Sequence, residues 1–392
     1  MIARNLRHLR LFLAVNDRGS VTTAADLYNI TQPAVTQAIA KLETLAGGAL
    51  FERTRQGFFP TQRGEILARR TRRALATLDP PLVELSPRLR LTASHAQLTA
   101  LIRVCEAENF TLAARSLGLA QPTVHRAITQ LEQEAGRPLF QRTAFGLVAS
   151  RAARDLAQAA RLAFHELEQA MAELAETQGR ELGRIVIGAL PMSRSVLLPG
   201  ALAAFRLQRP TQPVHVAEGL YDELLTGLRR GDIDLIVGAL RDPQPIADIV
   251  QTPLFQDSMA ILARNDHPLA GATALTPAIL AQQQWVVPRE GTPARAQFDS
   301  FFTEAGVALP ASIIEAGSIL LMREMLTKGD FLGCISELQA AAEIRHGLIR
   351  RLQVPARWTL RPIGVTTRAG WQPTAAQQLI LDLLQREAAG LE

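Results

Sequence analysis

Apolar residues recur at helical spacing early in the chain. Leu9, Phe12 and Val15 give one helix a single apolar face, and Val35, Ile39 and Leu42 do the same for another. Between them, Ser20 precedes a short helical stretch whose Ala24 and Ala25 let a neighbouring helix approach closely, and Asn29-Ile-Thr31 makes a turn. Gln32-Pro33 opens the next helix, since proline in a first turn gives up only an N–H that would be unpaired. This order predicts a helix-turn-helix. Burying Val35, Ile39 and Leu42 leaves Gln32, Pro33, Thr36, Gln37 and Lys41 on the open face, where polar side chains near a helix N-terminus suit major-groove reading. Arg53 and Arg55, just before Gly57, suit a β-wing that grips phosphate.

The same pattern returns 89 positions later. A gapless shift over Leu9–Gly57 gives 19 identities in 49 positions, and Leu50-Phe-Glu-Arg-Thr54 reappears as Leu139-Phe-Gln-Arg-Thr143. A repeat of this length is a duplicated domain. Gln121, His125, Arg126 and Arg142 stand where a second DNA reader would place its contacts. The copies differ in that Thr36 becomes His125 and Arg55 becomes Ala144.

Between the units, Thr61–Leu75 reads as a helix carrying Arg63, Arg69, Arg70, Arg72 and Arg73, expected to face phosphate. Asp79-Pro-Pro81 and Ser86-Pro87 are expected to end it in a stiff connector over 79–93. After the second unit, Leu156, Ala160, Ala163, Leu167, Ala170 and Leu174 are spaced 4, 3, 4, 3, 4, a coiled-coil seam within a long helix over 149–180. Gly179 and Gly183 break that helix, and strands then alternate with helices: 184–188, 214–218 and 233–238 as strands, 197–206 and 221–230 as helices. Such alternation predicts a wound, parallel α/β sheet.

A chain of 392 residues divides into three or four domains. Its net charge of +5 becomes informative once divided: residues 1–90 carry +7, 91–180 are neutral, and 181–392 carry −2. The field that attracts phosphate therefore lies on the first copy. Cys105 and Cys334 lie far apart without metal or disulfide spacing, as expected in a reducing cytoplasm. No secretory signal and no 18-residue apolar run is visible. The sheet region lacks a GxGxxG loop, a Walker loop, a GxSxG elbow and a His/Cys/carboxylate cluster, so neither an enzyme nor a bound metal or cofactor is expected.

The chain resembles LysR-type transcriptional regulators. The resemblance rests on Ala24-Ala25, Gln32-Pro33-Ala34-Val35-Thr36, Leu42-Glu43, Leu50-Phe51-x-Arg53 and Thr61-x-x-Gly64, and further on Leu198-Pro199, Phe205, Pro210, Glu218-Gly219, Gly231-Asp232-Ile233-Asp234 and His267-Pro268-Leu269. It implies a first winged unit and basic helix over 1–78, a second winged unit over 94–148, a linker helix over 149–180, and an effector-binding domain over 181–392. That domain would be built like periplasmic binding proteins, with lobe one at 183–254 and 363–392 and lobe two at 256–361. The extra winged unit is the departure from the family pattern.

The resemblance also implies partners: double-stranded operator DNA, a small-molecule effector such as a sugar or organic acid, a second subunit paired through the linker helix in a homodimer or tetramer, and RNA polymerase if the protein activates. It implies no membrane. Ligands of wound sheets sit beyond the carboxyl ends of strands. That selects Pro191, Met192, Ser193, Ser195, Gly219, Tyr221 and Gly238 from lobe one, with Arg289, Thr292 and Ser318 from lobe two. Whether the second winged unit reads DNA or acts as a spacer is left open by the residues.

Overall fold

Each repeat folds as three helices, a two-stranded wing and one long helix. The first comprises α1 (Leu6–Arg18), α2 (Val21–Leu27), α3 (Gln32–Ala46), the hairpin β1 (Phe51–Thr54) and β2 (Gly57–Pro60), and α4 (Gln62–Leu85). A short α5 (Leu89–Thr92) leads to the second: α6 (His95–Ala107), α7 (Phe110–Leu117), α8 (Gln121–Ala135), β3 (Phe140–Thr143), β4 (Gly146–Ala149) and α9 (Arg151–Glu176). The structure, a computed structural model, describes residue 2, residues 5–144 and residues 146–391. The chain divides into two units, 1–184 and 185–392.

Equivalent residues do equivalent work in the two copies. Ser20 and Asn109 cap α2 and α7, and Thr61 and Ser150 cap α4 and α9, each accepting a backbone N–H that the first turn would otherwise leave unpaired. The Glu43 carboxylate accepts from the N–H of Leu50 at 3.0 Å, and Glu132 accepts from that of Leu139 at 2.7 Å, tying each third helix to its wing. At the base of the first wing, Gly57 has φ +133°, and a Cβ there would lie 2.6 Å from the carbonyl oxygen of Gly19. Only glycine fits that turn without strain.

The long helices pair with each other, antiparallel. The Arg63 Nε donates to the Thr177 hydroxyl at 3.2 Å, Arg70 donates to Gln169 at 2.8 Å, and Arg73 donates to Glu166 at 3.0 Å. Three expectations fall to this pairing. The seam residues Leu156, Ala160, Ala163, Leu167, Ala170 and Leu174 are all buried, but against the chain's own helices, so this seam offers no face to a second subunit. Four of the five arginines of α4 meet carboxylates, not phosphate: Arg70, 1% exposed, is bridged to Glu166 and Glu173, Arg69 reaches Glu173, Arg72 reaches Asp17 and Arg73 reaches Glu166, while Arg63 is held by the Thr177 hydroxyl and the Gly47 carbonyl. Finally, α4 runs straight through Pro80 and Pro81 to Leu85, so the stiff connector begins later than its prolines suggest. Two interior prolines cost about 3 kcal/mol each. Burial of Leu78, Leu82 and Leu85, at about 1.5–3 kcal/mol each, offsets that.

The second unit contains two five-stranded sheets. The first is built from β5 (Ile185–Ala189), β6 (Val214–Glu218), β7 (Leu235–Ala239) and β8 (Ile249–Asp257), with α10 (Pro191–Ser195), α11 (Leu197–Gln208) and α12 (Tyr221–Arg230) between them. The chain then crosses into β9 (Met259–Ala263), α13 (Pro277–Ala281), β10 (Gln284–Val287), α14 (Pro293–Thr303), β11 (Ser312–Glu315), α15 (Ile319–Lys328), β12 (Phe331–Ser336), α16 (Ala341–Arg345) and β13 (Arg350–Arg351). It returns through β14 (Arg361–Arg368) and ends in α17 (Ala375–Ala389). The orders are β6-β5-β7-β14-β8 and β11-β10-β12-β9-β13. Strands β8 and β14 lie side by side, antiparallel, from Arg361 opposite Asp257 to Arg368 opposite Ile249, and they carry the chain between the lobes.

The α4–α9 clasp makes a measurable claim. Burial works against the charge of Glu166, but Arg73 and Arg70 outweigh it and hold the carboxyl below its ordinary range. Its stabilising contribution is therefore present above about pH 4.3 and is lost as the pH falls below that value. Replacing Arg70 by methionine removes the most buried cation of the clasp and leaves Glu166 to Arg73 and Glu173 to Arg69. Denaturant melts at pH 7 should show a loss of about 1–3 kcal/mol, shrinking as the pH is lowered. A loss below about 0.5 kcal/mol would contradict the clasp.

Candidate functional site

In the first repeat, packing of Val35, Ile39 and Leu42 turns Gln32, Pro33, Thr36, Gln37 and Lys41 outward, and all five are exposed on one face of α3. Arg53 and Arg55 project from the wing, with the Arg53 guanidinium 5.3 Å from the centre of the Phe58 ring. Stacking on that ring restrains a cation at the edge of the recognition face. In the second repeat, Gln121, Pro122, His125, Arg126 and Arg142 line one open cleft of about 660 Å³ between α8 and its wing. His125 packs beside Phe110, with ring centres 5.1 Å apart. The second repeat thus brings its predicted contacts to one cleft, while in the first they are exposed on α3 and on the wing.

The second unit holds a cavity of about 320 Å³ between its two sheets. Six of the ten predicted residues line it: Pro191, Met192, Gly219, Tyr221, Arg289 and Thr292. The other four do not. The Ser193 hydroxyl is buried and donates to the Leu190 carbonyl at 2.8 Å, Ser195 lies exposed at the end of α10, and Ser318 caps α15 by accepting from the N–H of Leu321. Gly238, with φ +149°, gives room to the Leu190 side chain, which a Cβ there would meet at 2.5 Å. Loop position selected these four, but their polar atoms are consumed locally or face elsewhere.

The sequence reading missed Arg241, Ser336, Gln339 and Arg361, all on the cavity wall. Arg241 stacks over Tyr221 at 4.2 Å from the ring centre, its backbone clasped by the Gln251 amide through two bonds of 2.8 Å. Burial works against its charge, a tendency the nearby Tyr221 and Asp222 only partly relieve and Arg361 reinforces. Arg361 donates to Asp257 at 2.5 Å, and Asp257 also accepts from the Ser336 hydroxyl at 3.0 Å. The Asp257 carboxyl is pushed up by burial, against the pull of Arg361 and Ser336. Two buried atoms here find no partner among the described residues, the Tyr221 hydroxyl and the Arg361 Nε; both residues are 8% exposed. The signal that could have found Arg241 was its place two residues beyond the end of β7.

Among the described residues, no group of three His, Cys, Asp or Glu could hold a metal ion, and no helix is long and apolar enough to cross a membrane. Two winged helix-turn-helix units ahead of a two-lobed α/β domain with a ligand-sized cavity define a DNA-binding regulator of transcription with an effector-binding domain. The family described as LysR substrate binding domain matches residues 178–389, and that described as bacterial regulatory helix-turn-helix protein, lysR family, matches twice, at 6–65 and 95–156. The chain belongs to the LysR family of transcriptional regulators, and its relatives are regulators, not enzymes.

The HTH-type transcriptional regulator GalR of Pseudomonas putida is 38% identical over 369 residues, 93% of each chain. The regulator PcaQ of Agrobacterium fabrum is 30% identical over 302 residues, 77% of this chain but 96% of its own. Full-length OxyR of Pseudomonas aeruginosa shares the fold with a TM-score of 0.54 at 21% identity, covering 74% of this chain and 97% of that one. What PcaQ leaves uncovered, about 90 residues, is the length of one repeat.

Burial pushes the Cys105 thiol up to about 12 and raises that of Cys334 as well. The thiolate is the reactive form. Neither cysteine should react with a disulfide reagent in native protein at pH 8, and both should react after unfolding. Fast labelling of either in the native state would contradict the raised thiol pKa.

Proposed function

We propose that the chain acts in the cytoplasm as a one-component switch: its readers hold an operator in a sequence-selective way, and a small organic acid bound between the lobes changes that grip. The observation that carries the ligand class is the cavity wall. Its surface is largely apolar, formed by Leu190, Pro191, Met192, Ile335 and Ile363 among others, while Arg241, Arg289 and Arg361 supply positive charge. An anion would relieve the burial penalty on Arg241 and satisfy the free Arg361 Nε, and a flat body would fill the apolar remainder. Helices α12 and α14 also begin on this wall, at Tyr221 and Pro293, adding positive dipole ends. A sugar, which needs many hydrogen-bond partners, suits this lining less well.

Binding favours closure of the lobes about β8 and β14, and the closed state presents the readers differently to DNA. Any homodimer or tetramer forms through a surface other than the α9 seam. Activation or repression, including contact with RNA polymerase, follows from where the operator lies.

Two outcomes test this reading. In thermal melts with a panel of small aromatic and aliphatic carboxylates, their neutral amides and simple sugars, some acids should raise Tm. Arg241→Met should weaken that binding about 10- to 100-fold, equivalent to ~1.5–3 kcal/mol. Stabilisation by sugars or amides alone would overturn the ligand class. In DNA titrations across salt, Arg53→Ala should weaken binding and reduce the salt slope by about one ion. An unchanged slope would remove Arg53 from the interface.

A further inference from the structure

We infer that one chain carries a complete pair of DNA readers, and that the pair reads an operator whose two half-sites differ in sequence. This rests on the DNA-reading role proposed above and adds to it a second reader working from the same chain.

The duplication extends beyond the winged units into the long helices. Under the same shift of 89, α4 and α9 are identical at Leu67/Leu156, Ala68/Ala157, Arg72/Arg161, Ala74/Ala163, Leu78/Leu167, Glu84/Glu173 and Leu85/Leu174. Burial agrees more widely still: Gly64, Leu67, Ala68, Arg70, Thr71, Ala74, Leu78 and Leu85 are buried, and so is the counterpart of each in α9. Two copies of one element, packed antiparallel on equivalent faces, are related by an approximate twofold axis. The ends behave the same way. Beyond α9, the Gln178 side chain donates to the Gly47 carbonyl at the end of α3, at 3.0 Å. Beyond α4, the Thr92 hydroxyl donates to Glu134 near the end of α8. The segment that follows each long helix therefore reaches the far end of the other copy's recognition helix.

The charges select this pairing over a pairing of like helices. On α4, the positions equivalent to Glu166, Gln169 and Glu173 are Thr77, Pro80 and Glu84; on α9, the positions equivalent to Arg69, Arg70 and Arg73 are Gln158, Ala159 and Leu162. At these positions two copies of α9 packed together would bury Glu166 and Glu173 without a cation, and two copies of α4 would offer Arg70 a single acid, Glu84. Uncompensated buried charge costs several kcal/mol, so the mixed pair prevails. The chain thus closes within itself an interface that identical subunits would otherwise have to share.

The second reader is built as a reader. Gln121 and Arg142 repeat Gln32 and Arg53, and the cleft they line with His125 and Arg126 is open. Its chemistry differs: Gln37 suits an adenine edge, Arg126 a guanine. A neutral second copy beside a strongly positive first one fits a reader of weaker phosphate grip but distinct sequence preference.

The test uses the full chain and DNA selected by it from a random pool, footprinted with hydroxyl radicals. The wild type should protect two patches of unlike sequence, a whole number of helical turns apart. Gln121→Ala/Arg142→Ala should lose one patch, Gln32→Ala/Arg53→Ala the other, each with about a hundredfold weaker binding. Unchanged melting of both variants checks that they fold. A footprint and affinity left within about twofold by the Gln121/Arg142 variant would make the second copy a spacer and overturn the inference, as would identical half-sites both lost in the Gln32/Arg53 variant. Either result leaves the DNA-reading role standing. Absence of any selected sequence would instead remove that role itself.

Discussion

One buried guanidinium organises the DNA-reading unit. Arg70 lies in the α4–α9 interface at 1% exposure, where an uncompensated charge costs several kcal/mol, so the fold must bring Glu166, Gln169 and Glu173 to it. Those partners lie about 100 positions away in sequence and three or four residues apart on one helix face. Meeting all of them fixes the register of two long helices, and with it which surface each repeat leaves free. Apolar packing supplies most of the energy; the charge decides the partner and the alignment.

A second buried arginine carries the same kind of interaction, left incomplete. Arg361 is anchored by Asp257, and Asp257 by Ser336, so the guanidinium is held in place at the crossing of the lobes. Unlike Arg70, its Nε meets no acceptor among the described residues, and the Tyr221 hydroxyl on the same cavity wall is also unmatched. Buried polar atoms are normally paired. Around Arg70 the pairing is spent on architecture. In the cavity, anchored but unspent donors line a space fit for a small anion.

The sequence was most legible where contacts are local. Leu9, Phe12 and Val15, the Gln32-Pro33 helix start and the paired caps announce a winged helix-turn-helix, and the exact repetition of Gln-Pro and Leu-Phe-x-Arg announces two. Strand and helix alternation after Gly183 announces the wound sheets. It was least legible where distant residues decide. Pro80 and Pro81 read as a break because local propensity disfavours them, yet Leu78, Leu82 and Leu85 find α9 and the helix continues. Arg69, Arg70 and Arg73 read as a phosphate-facing stripe because their acids sit in another repeat; the matching spacing of Glu166, Gln169 and Glu173 was the available signal. The α9 seam was visible, but a seam does not name its partner.

The central claim is that α4 pairs with α9 of its own chain. Spin labels on Glu84→Cys and Asp155→Cys, both exposed and lying on the two paired helices, measure this directly in a chain whose Cys105 and Cys334 are replaced by alanine. The account predicts a short distance whose dipolar signal is undiminished when labelled chains are folded together with a large excess of unlabelled ones. A signal that fades in proportion to that dilution would mean that α4 reaches the α9 of another chain, and the self-contained pair of readers would be wrong.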